Sequence, residues 1–231
     1  MNAILLCAGD GRRLLPITKF YPKPLVKINY KKKTTLIDYW IEKLIKEFKV
    51  EKILINLNYK ANLIKLHLNK SPYRNKIRIV YEKKKLGTAG TLIKNINFFE
   101  NKDGILLHSD NICDENLKNF LKFHKKQIKD NFFSMLAFET NDKKNSGILK
   151  IKNNIMINFY EKIKDAPGNL ANGAIYIINK KFLEQIKFKD YKDFSNDIVL
   201  KSINKVAVFK TNKFFIDIGT LKKINYLKNR H

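Results

Sequence analysis

Residues 2–25, NAILLCAGDGRRLLPITKFYPKPL, begin as an apolar run and continue into a basic turn that contains glycine and proline. The run NAILLC has the length and composition of a buried β-strand. Gly9 and Gly11 allow a ligand to approach the backbone closely, and free N–H groups in such a turn can bind an anion. The cationic side chains of the turn are those of Arg12, Arg13 and Lys23. The stretch therefore predicts a polyphosphate-binding turn directly after the first strand.

Two common phosphate-binding loops do not fit this turn. The dinucleotide-binding fingerprint needs a third glycine three residues after Gly11, where this chain has Leu14, and the P-loop sequence GK[ST] does not occur. A solvated basic loop after a core strand is the structural alternative. The fixed backbone angle of the two prolines around Lys23 favours a rigidly presented cation, and so favours binding.

Strand-like and helix-like segments alternate through the first half of the chain. The strand-like runs are 2–7, 51–58, 76–82 and 103–110, and the helical patterns are 35–48, 60–69, from about 88, and 115–126. Such alternation predicts right-handed crossovers and a parallel sheet covered on both faces. In the second half the strand-like runs are 132–140, 146–153, 154–162 and 172–179, followed by a short helix at 194–203, strands at 205–211 and 213–218, and a helix at 220–229. The predicted fold is single-domain α/β, with a Rossmann-like, mostly parallel sheet and a small β-rich portion.

The composition limits the classes of function. The 231 residues carry a formal net charge of +26, but almost all the basic residues are lysines spread along the chain, and only five are arginines. Readers of nucleic-acid sequence use arginine forks and exposed aromatic side chains at motif spacing, so we expect no nucleic-acid function. No apolar run is long enough to span a membrane, and two cysteines are too few for a disulfide framework. We expect a cytoplasmic protein with reduced, buried thiols.

Further motifs follow the basic turn in a characteristic order. They are LGTAG (86–90), LLHSDN (106–111), FYEK (159–162), GNLANGAIYI (168–177), DFSND (193–197) and FIDIGT (215–220). Together with Gly9, Gly11, Arg13, Leu14, Pro16, Thr18 and the PKPL clip, this order resembles the sugar-1-phosphate nucleotidylyltransferases over essentially the whole chain. The mannose-1-phosphate and D-glycero-D-manno-heptose-1-phosphate guanylyltransferases are the most similar members. The resemblance implies a nucleotide-binding half at about 1–115, a sugar-phosphate-binding half at about 116–231, and no left-handed β-helix domain.

The resemblance also assigns roles to individual residues. It implies that nucleoside triphosphate, with GTP as the expected one, is bound by Leu6, Ala8, Gly9, Gly11, Arg12, Arg13, Lys23, Gly87, Thr88, Gly90 and Asp110. Arg13 and Lys23 are the implied catalytic cations, and Asp110 and Asp217 the implied ligands of Mg²⁺. The sugar 1-phosphate is assigned to Asn111, Gly147, Glu161, Lys162, Asn172 and Gly173. The resemblance also allows a homodimer.

Several alternatives stay open at this point. The enzyme could transfer cytidylyl, uridylyl or thymidylyl groups, or act on a non-sugar phosphate such as phosphocholine, or be a silent regulatory homologue. Thr88 could be a helix N-cap, and either aspartate a turn residue. His108 and Cys113 flank Asp110 and invite a transition-metal interpretation, which a single intervening carboxylate does not favour. Two departures from the family pattern are Arg12 in place of a small hydroxylated residue, and Ser109 in place of glycine.

Overall fold

The strands of the two halves join in one sheet. The computed structural model describes residues 1–29 and 34–230. In these residues the strands are β1 (Asn2–Leu6), β2 (Lys27–Asn29), β3 (Thr34–Thr35), β4 (Ile53–Leu57), β5 (Ile77–Tyr81), β6 (Gly104–His108), β7 (Asn111–Cys113), β8 (Phe133–Glu139), β9 (Gly147–Lys152), β10 (Ile155–Glu161), β11 (Leu170–Ile178), β12 (Val206–Lys210) and β13 (Phe215–Asp217). The main sheet has the order β5-β4-β1-β6-β11-β8-β12-β10-β9, and β7–β13 and β2–β3 form two small sheets.

Seven α-helices are found in the described residues. They are α1 (Ile17–Phe20), α2 (Leu36–Lys46), α3 (Ala61–Asn69), α4 (Gly87–Lys94), α5 (Leu117–Gln127), α6 (Lys180–Ile186) and α7 (Leu221–Arg230). Helix α2 begins with a capping box, in which the Thr35 hydroxyl and the Asp38 carboxylate each accept from the other's backbone N–H. Asn116 caps α5 with one hydrogen bond, in which its side-chain oxygen accepts from the Lys118 N–H. These caps fix where the crossover helices start.

The strands β5, β4, β1 and β6 are parallel, and β4, β1 and β6 are buried on both faces, whereas the edge strand β5 is partly exposed. Ile4 of β1 packs with α4 and the segment around Phe194, whereas the neighbouring Ala3 and Leu5 pack with α2, α3 and α5. Successive side chains of a strand point to opposite faces, so a continuous apolar run is what a two-sided burial requires. The carboxyl ends of all four strands therefore meet at one edge of the sheet.

The second half adds antiparallel strands beside β6. Strand β11 pairs antiparallel with β6 and β8, and β12 is parallel to β8. Strands β9 and β10 form a hairpin whose two turn residues, Asn153 and Asn154, have φ of 51° and 61°. Asparagine tolerates this left-handed conformation, which a two-residue hairpin needs. The pairing of β11 with β8 shifts register between Asn172 and Tyr176.

A third apolar cluster holds the basic turn in position. Leu14 and Val26 from the turn pack with Ile112 of β7, with Ile218 and with Ile224 of α7. The closing helix and the β7–β13 pair are therefore packed against the segment that carries the arginines and Lys23. This contact brings the two ends of the chain to a common site.

The mixed α/β fold class predicted from the sequence is confirmed. The sequence did not predict β7 or α6, because three residues and seven residues carry too little periodicity. The helix expected at 194–203 is a π-helix at Phe194–Val199 followed by a 3₁₀ turn at Leu200–Ser202. Cys7 and Cys113 are free and buried, and burial raises the pKa of the Cys7 thiol to about 12. No helix in the described part of the chain combines the length and apolar character needed to cross a membrane.

Candidate active site

The basic turn is closed by a hydrogen bond between its two ends. Gly11 has a φ of 65°, and a Cβ atom built on it would lie 2.8 Å from the Thr18 methyl carbon. The Thr18 hydroxyl donates to the Gly11 carbonyl over 2.9 Å. Glycine is thus required at position 11 both for its backbone angle and for the tight approach of Thr18. The cavity of about 320 Å³ beside the turn is lined by Gly9, Asp10, Gly11, Arg12, Arg13, Leu14, Lys23, Asp110 and Gly219.

Lys23 and Asp110 form an ion pair at the centre of the site. The Lys23 Nζ atom lies 2.7 Å from Asp110 Oδ2, and the two side chains are 12% and 30% exposed. Burial would raise the pKa of Asp110, but the nearby charges of Lys23 and His108 outweigh it and leave that pKa below its ordinary value. Asp110 is therefore a carboxylate at neutral pH and already neutralises a cation.

A cavity of about 250 Å³ lies between the turn and the start of α4. Of the residues assigned to the nucleotide, it is lined by Leu6, Ala8, Gly9, Lys23, Gly87, Thr88 and Asp110. The sequence motifs did not assign the remaining lining residues to the nucleotide; these are Cys7, Pro24, Asn56, Glu82, Lys85, Thr91, His108 and Ser109. Position 109 proves to be structural, because the Ser109 hydroxyl donates to the Leu6 carbonyl over 2.8 Å.

Polar side chains form the floor of this cavity. Glu82 is 4% exposed, and its Oε1 accepts from the Asn56 amide at 3.0 Å and from the Thr91 hydroxyl at 2.6 Å. Its Oε2 accepts from the Leu86 N–H at 3.2 Å. The Asn56 carbonyl in turn accepts from the Cys7 N–H at 2.8 Å. A buried carboxylate kept in place by three donors offers its remaining lone pairs to a ligand. A carboxylate directly after β5, at the carboxyl edge, was the signal that could have identified Glu82 from the sequence.

A third and larger cavity, of about 460 Å³, also has Asp110 in its lining. It is lined by five residues assigned to the sugar phosphate, Asn111, Gly147, Glu161, Lys162 and Asn172, and by Arg13, Asp110 and Asp217. Strand pairing places Gly147 opposite Glu161, and the Lys162 Nζ atom lies 3.0 Å from Glu161 Oε1. Thr88, His108 and Asp110 line this cavity and the nucleotide cavity, so the two adjoin.

Asp217 reaches the site through the β7–β13 pair. Asp217 lies opposite Asn111 in that pair, and the Ile218 N–H donates to the Asp110 carbonyl over 2.7 Å. A Cβ atom built on Gly219 would lie 2.8 Å from Asp217 Oδ2 and 3.2 Å from Arg13 Nη2, so both groups converge over this glycine. Residues more than a hundred positions apart in sequence are thus joined at one point.

Asp217 also holds a lysine. The Lys223 Nζ atom of α7 lies 3.2 Å from Asp217 Oδ2 and 3.7 Å from Asp142 Oδ2. Each of the two aspartates assigned to the metal therefore accepts from an ammonium group, Asp110 from Lys23 and Asp217 from Lys223. Carboxylate oxygens that balance a cation in this way are the donor type that Mg²⁺ prefers.

Some assigned residues lie away from the cavities. Gly90 faces the Tyr191 carbonyl, and Gly173 faces the Leu136 carbonyl, where a Cβ would lie 2.8 Å away. Neither glycine lines the three cavities described above, and their assigned contacts stay predictions. Arg12 lines the cavity beside the turn, but its side chain is 86% exposed and lies by Asp10.

Two alternatives from the sequence are not supported by the structure. Thr88 is not an N-cap, because α4 begins at Gly87 and the Thr88 hydroxyl accepts from the Phe194 N–H at 2.7 Å. The transition-metal interpretation of His108 and Cys113 finds no support, since residues 1–29 and 34–230 contain no cluster of three or more histidine, cysteine, aspartate or glutamate side chains that could hold a metal. Burial holds the pKa of His108 below its ordinary value, against the opposing charge of Asp110.

The mixed sheet carries the basic turn and the two adjoining cavities at the carboxyl edge of its parallel strands, which is where open α/β folds bind their ligands. The chain belongs to the nucleotidyl transferase family, whose model matches residues 2–229. The resemblance stated from the sequence motifs is thereby confirmed.

Individual relatives agree with this membership. The chain is 30% identical over 224 residues to the D-glycero-alpha-D-manno-heptose 1-phosphate guanylyltransferase of Campylobacter jejuni, and the aligned region covers 95% of each protein. It is 32% identical over 229 residues to the mannose-1-phosphate guanylyltransferase catalytic subunit beta of Dictyostelium discoideum, covering 96% of this chain and 62% of that protein. Among solved structures, HddC from Yersinia pseudotuberculosis superposes with a TM-score of 0.80 at 25% identity, over 99% of this chain and 98% of HddC.

Proposed function

We propose that the protein transfers a nucleotidyl group from a nucleoside triphosphate to a sugar 1-phosphate and releases pyrophosphate. The observation that carries the proposal is the position of Asp110 and Lys23. Asp110 lines the nucleotide cavity, the cavity beside the basic turn and the larger cavity beyond them, and Lys23 lines the first two. A reaction that joins two phosphorylated substrates needs this kind of junction between two binding sites.

The residues at the junction suit the chemistry. A phosphate oxygen of the sugar 1-phosphate forms a bond to the α-phosphorus of the triphosphate, and the bond from that phosphorus to the bridging oxygen breaks, so that pyrophosphate leaves with the electron pair. The attacking oxygen is already anionic, and no general base is needed. The protein has to position two anions and stabilise the charge that develops. Lys23 would contact the α-phosphate, and Arg13 the departing β and γ phosphates.

Asp110 and Asp217 would hold Mg²⁺. Both aspartates line the larger cavity together with Arg13, and each is balanced by a lysine, so the donor set fits a hard divalent cation. Bound Mg²⁺ would neutralise phosphate charge during the transfer. Two protein carboxylates are too few to fill the coordination of Mg²⁺, and so phosphate oxygens of the triphosphate would complete it. Metal and triphosphate would then bind together.

GTP is the proposed triphosphate. A guanine ring presents two adjacent N–H donors on one edge. The buried Glu82 carboxylate on the floor of the nucleotide cavity is a charged acceptor for such donors. A relative at 30% identity is a heptose 1-phosphate guanylyltransferase, which supports the base and suggests a heptose or mannose 1-phosphate as acceptor. Nucleotide sugars of this kind are precursors of capsule or lipopolysaccharide, and the proposed location is the cytoplasm.

A pyrophosphate-release assay tests the proposal. The purified protein with Mg²⁺ is given GTP, UTP, CTP, dTTP or ATP together with hexose or heptose 1-phosphates, and phosphocholine serves as the non-sugar acceptor. We expect release that depends on both substrates and is fastest with GTP and mannose or heptose 1-phosphate. Release with a different base or with phosphocholine would change the substrate assignment. Silence across the panel from folded protein would overturn the enzymatic proposal and favour a regulatory homologue.

A further inference from the structure

An acidic side chain interrupts the phosphate-binding turn. Asp10 lies between Gly9 and Gly11, lines the cavity beside the turn, and is 25% exposed. A carboxylate at this point repels the triphosphate that the turn would bind, and its charge is only partly screened by solvent. Its presence therefore needs a compensating charge that works both before and after the nucleotide arrives.

Two cations from different segments compensate Asp10. Lys85 belongs to the loop before α4, and its Nζ atom is ion-paired with Asp10 Oδ1. The Arg12 Nε atom lies 3.4 Å from the other oxygen, Oδ2. Lys85 also lines the nucleotide cavity, whereas Arg12 lines only the cavity beside the turn and is 86% exposed. The Asp10–Lys85 pair thus joins the two walls between which the nucleotide would sit.

We propose that Lys85 is a triphosphate-binding residue that Asp10 holds in position until the nucleotide arrives. The inference rests on the proposed use of a nucleoside triphosphate and names one further group that binds it. When the phosphates enter, the Lys85 ammonium moves from the carboxylate to them, and Arg12 remains on Asp10 and keeps it neutral.

The side-chain types suit this exchange. Lysine is a compact charge on a flexible stem and can change partners with a small movement. Lys85 is 43% exposed, so its side chain is free to reorient. Arginine presents several donors in a fixed fork and retains a carboxylate partner well. The role of Arg12, an unusual residue at its position, is then to compensate Asp10 rather than to bind phosphate.

A simpler account is that Lys85 only neutralises Asp10. The two accounts differ in a background that lacks the Asp10 charge. If Lys85 only cancels that charge, it becomes dispensable in Asp10→Asn. If Lys85 contacts phosphate, its removal weakens triphosphate binding in Asp10→Asn as it does in the native protein.

Calorimetric titration with GTP, GDP and GMP in the absence of metal separates these accounts. The proteins compared are wild type, Lys85→Met, Asp10→Asn and the double variant. Lys84→Met is the matched control, since Lys84 is an exposed neighbour that does not line the cavity. We expect Lys85→Met to bind GTP about tenfold more weakly, with and without Asp10, since it loses a charge-assisted hydrogen bond. The loss should shrink from GTP to GMP, and Lys85→Arg should restore part of the affinity.

Equal GTP affinity of Asp10→Asn and the double variant would overturn the inference, and so would a loss of the same size for GTP and GMP. A wild-type protein that binds none of GTP, UTP, CTP, dTTP and ATP, titrated both with and without Mg²⁺, would instead contradict the proposed function. The two failures are therefore distinguishable in one set of titrations.

Discussion

Lys23 and Asp110 lie 87 positions apart in the chain, and their side chains meet at 2.7 Å where the nucleotide cavity adjoins the larger cavity. The pair sets the charge at the junction. One member is the proposed ligand of the α-phosphate, and the other the proposed ligand of the metal. Substrate binding would therefore separate the pair, with each partner taking a new counter-charge.

Replacement of Lys23 by methionine should lower kcat by about 100- to 1000-fold, the effect typical of losing one group that stabilises transition-state charge. Steady-state pyrophosphate release with saturating substrates measures the effect, and thermal unfolding checks the fold. Lys27→Met is the control, because Lys27 is exposed on β2 and lines none of the three cavities. Native turnover in Lys23→Met would refute the catalytic assignment.

Asp110→Ala or Asp217→Ala should abolish Mg²⁺-dependent turnover and leave the fold intact, because each removes one of two proposed carboxylate ligands. The measurements are pyrophosphate release and Mn²⁺ binding in the presence of GTP. Asp165→Ala, a change at an exposed loop position, should behave like the wild type. If either site variant retains wild-type activity, the metal site lies elsewhere.

Lys223→Met should raise the affinity for divalent metal by about two- to fivefold, since a partly exposed ion pair that competes for Asp217 is worth up to about 1 kcal/mol. Mn²⁺ titration followed by electron paramagnetic resonance reports the change directly. The neighbouring Lys222 is exposed, and Lys222→Met is the matched control. A weaker metal affinity in Lys223→Met would show that this lysine supports the metal site instead of competing for it.

Glu82→Gln should reduce kcat/KM for GTP by at least about tenfold and lower the preference for GTP over ATP, because an amide replaces the buried carboxylate proposed to accept from guanine. Competition assays with mixed triphosphates measure the preference. Glu184→Gln, at an exposed position of α6, controls for the change in charge. An unchanged GTP-to-ATP ratio would remove Glu82 from base recognition.

The free energy of unfolding should fall as the pH drops below about 4. Burial tends to raise the pKa of Asp103, but the nearby His124 imidazole, whose Nε2 lies 3.6 Å from Asp103 Oδ2, and the hydrogen bond donated by the Lys180 N–H outweigh burial and leave that pKa below its ordinary value. The pKa of Asp110 is lowered as well. A carboxyl whose pKa is lower in the folded state contributes stability above its unfolded value of about 3.9, and this contribution is lost as the pH falls through the folded value. Urea unfolding between pH 7 and pH 2 measures the profile. Asp103→Asn should flatten it, and a profile identical to the wild type would contradict the assignment.

Much of the fold could be predicted from local pattern. The strands at 53–57 and 104–108 are short and mostly apolar, and together with the helical patterns between them they indicate buried parallel strands. The order of the strands could not be predicted, because β11 pairs with β6 through residues as distant in the chain as Ile175 and Leu107. The π-helix at Phe194–Val199 also depends on a distant contact, the bond from the Phe194 N–H to Thr88.

The sequence by itself determined the family, the basic turn and the residues to which phosphate chemistry is assigned, since glycine, proline and charge act locally and in a fixed order. Only the tertiary structure decided which of those charges meet. Strand pairing sets Asp217 beside Asp110, and packing of the closing helix brings Lys223 to Asp217. The same folding brings Lys85 to Asp10 and places Glu82 on the floor of a cavity. Coulomb interactions depend on distance in space, and that distance is fixed by the packed core and not by separation along the chain.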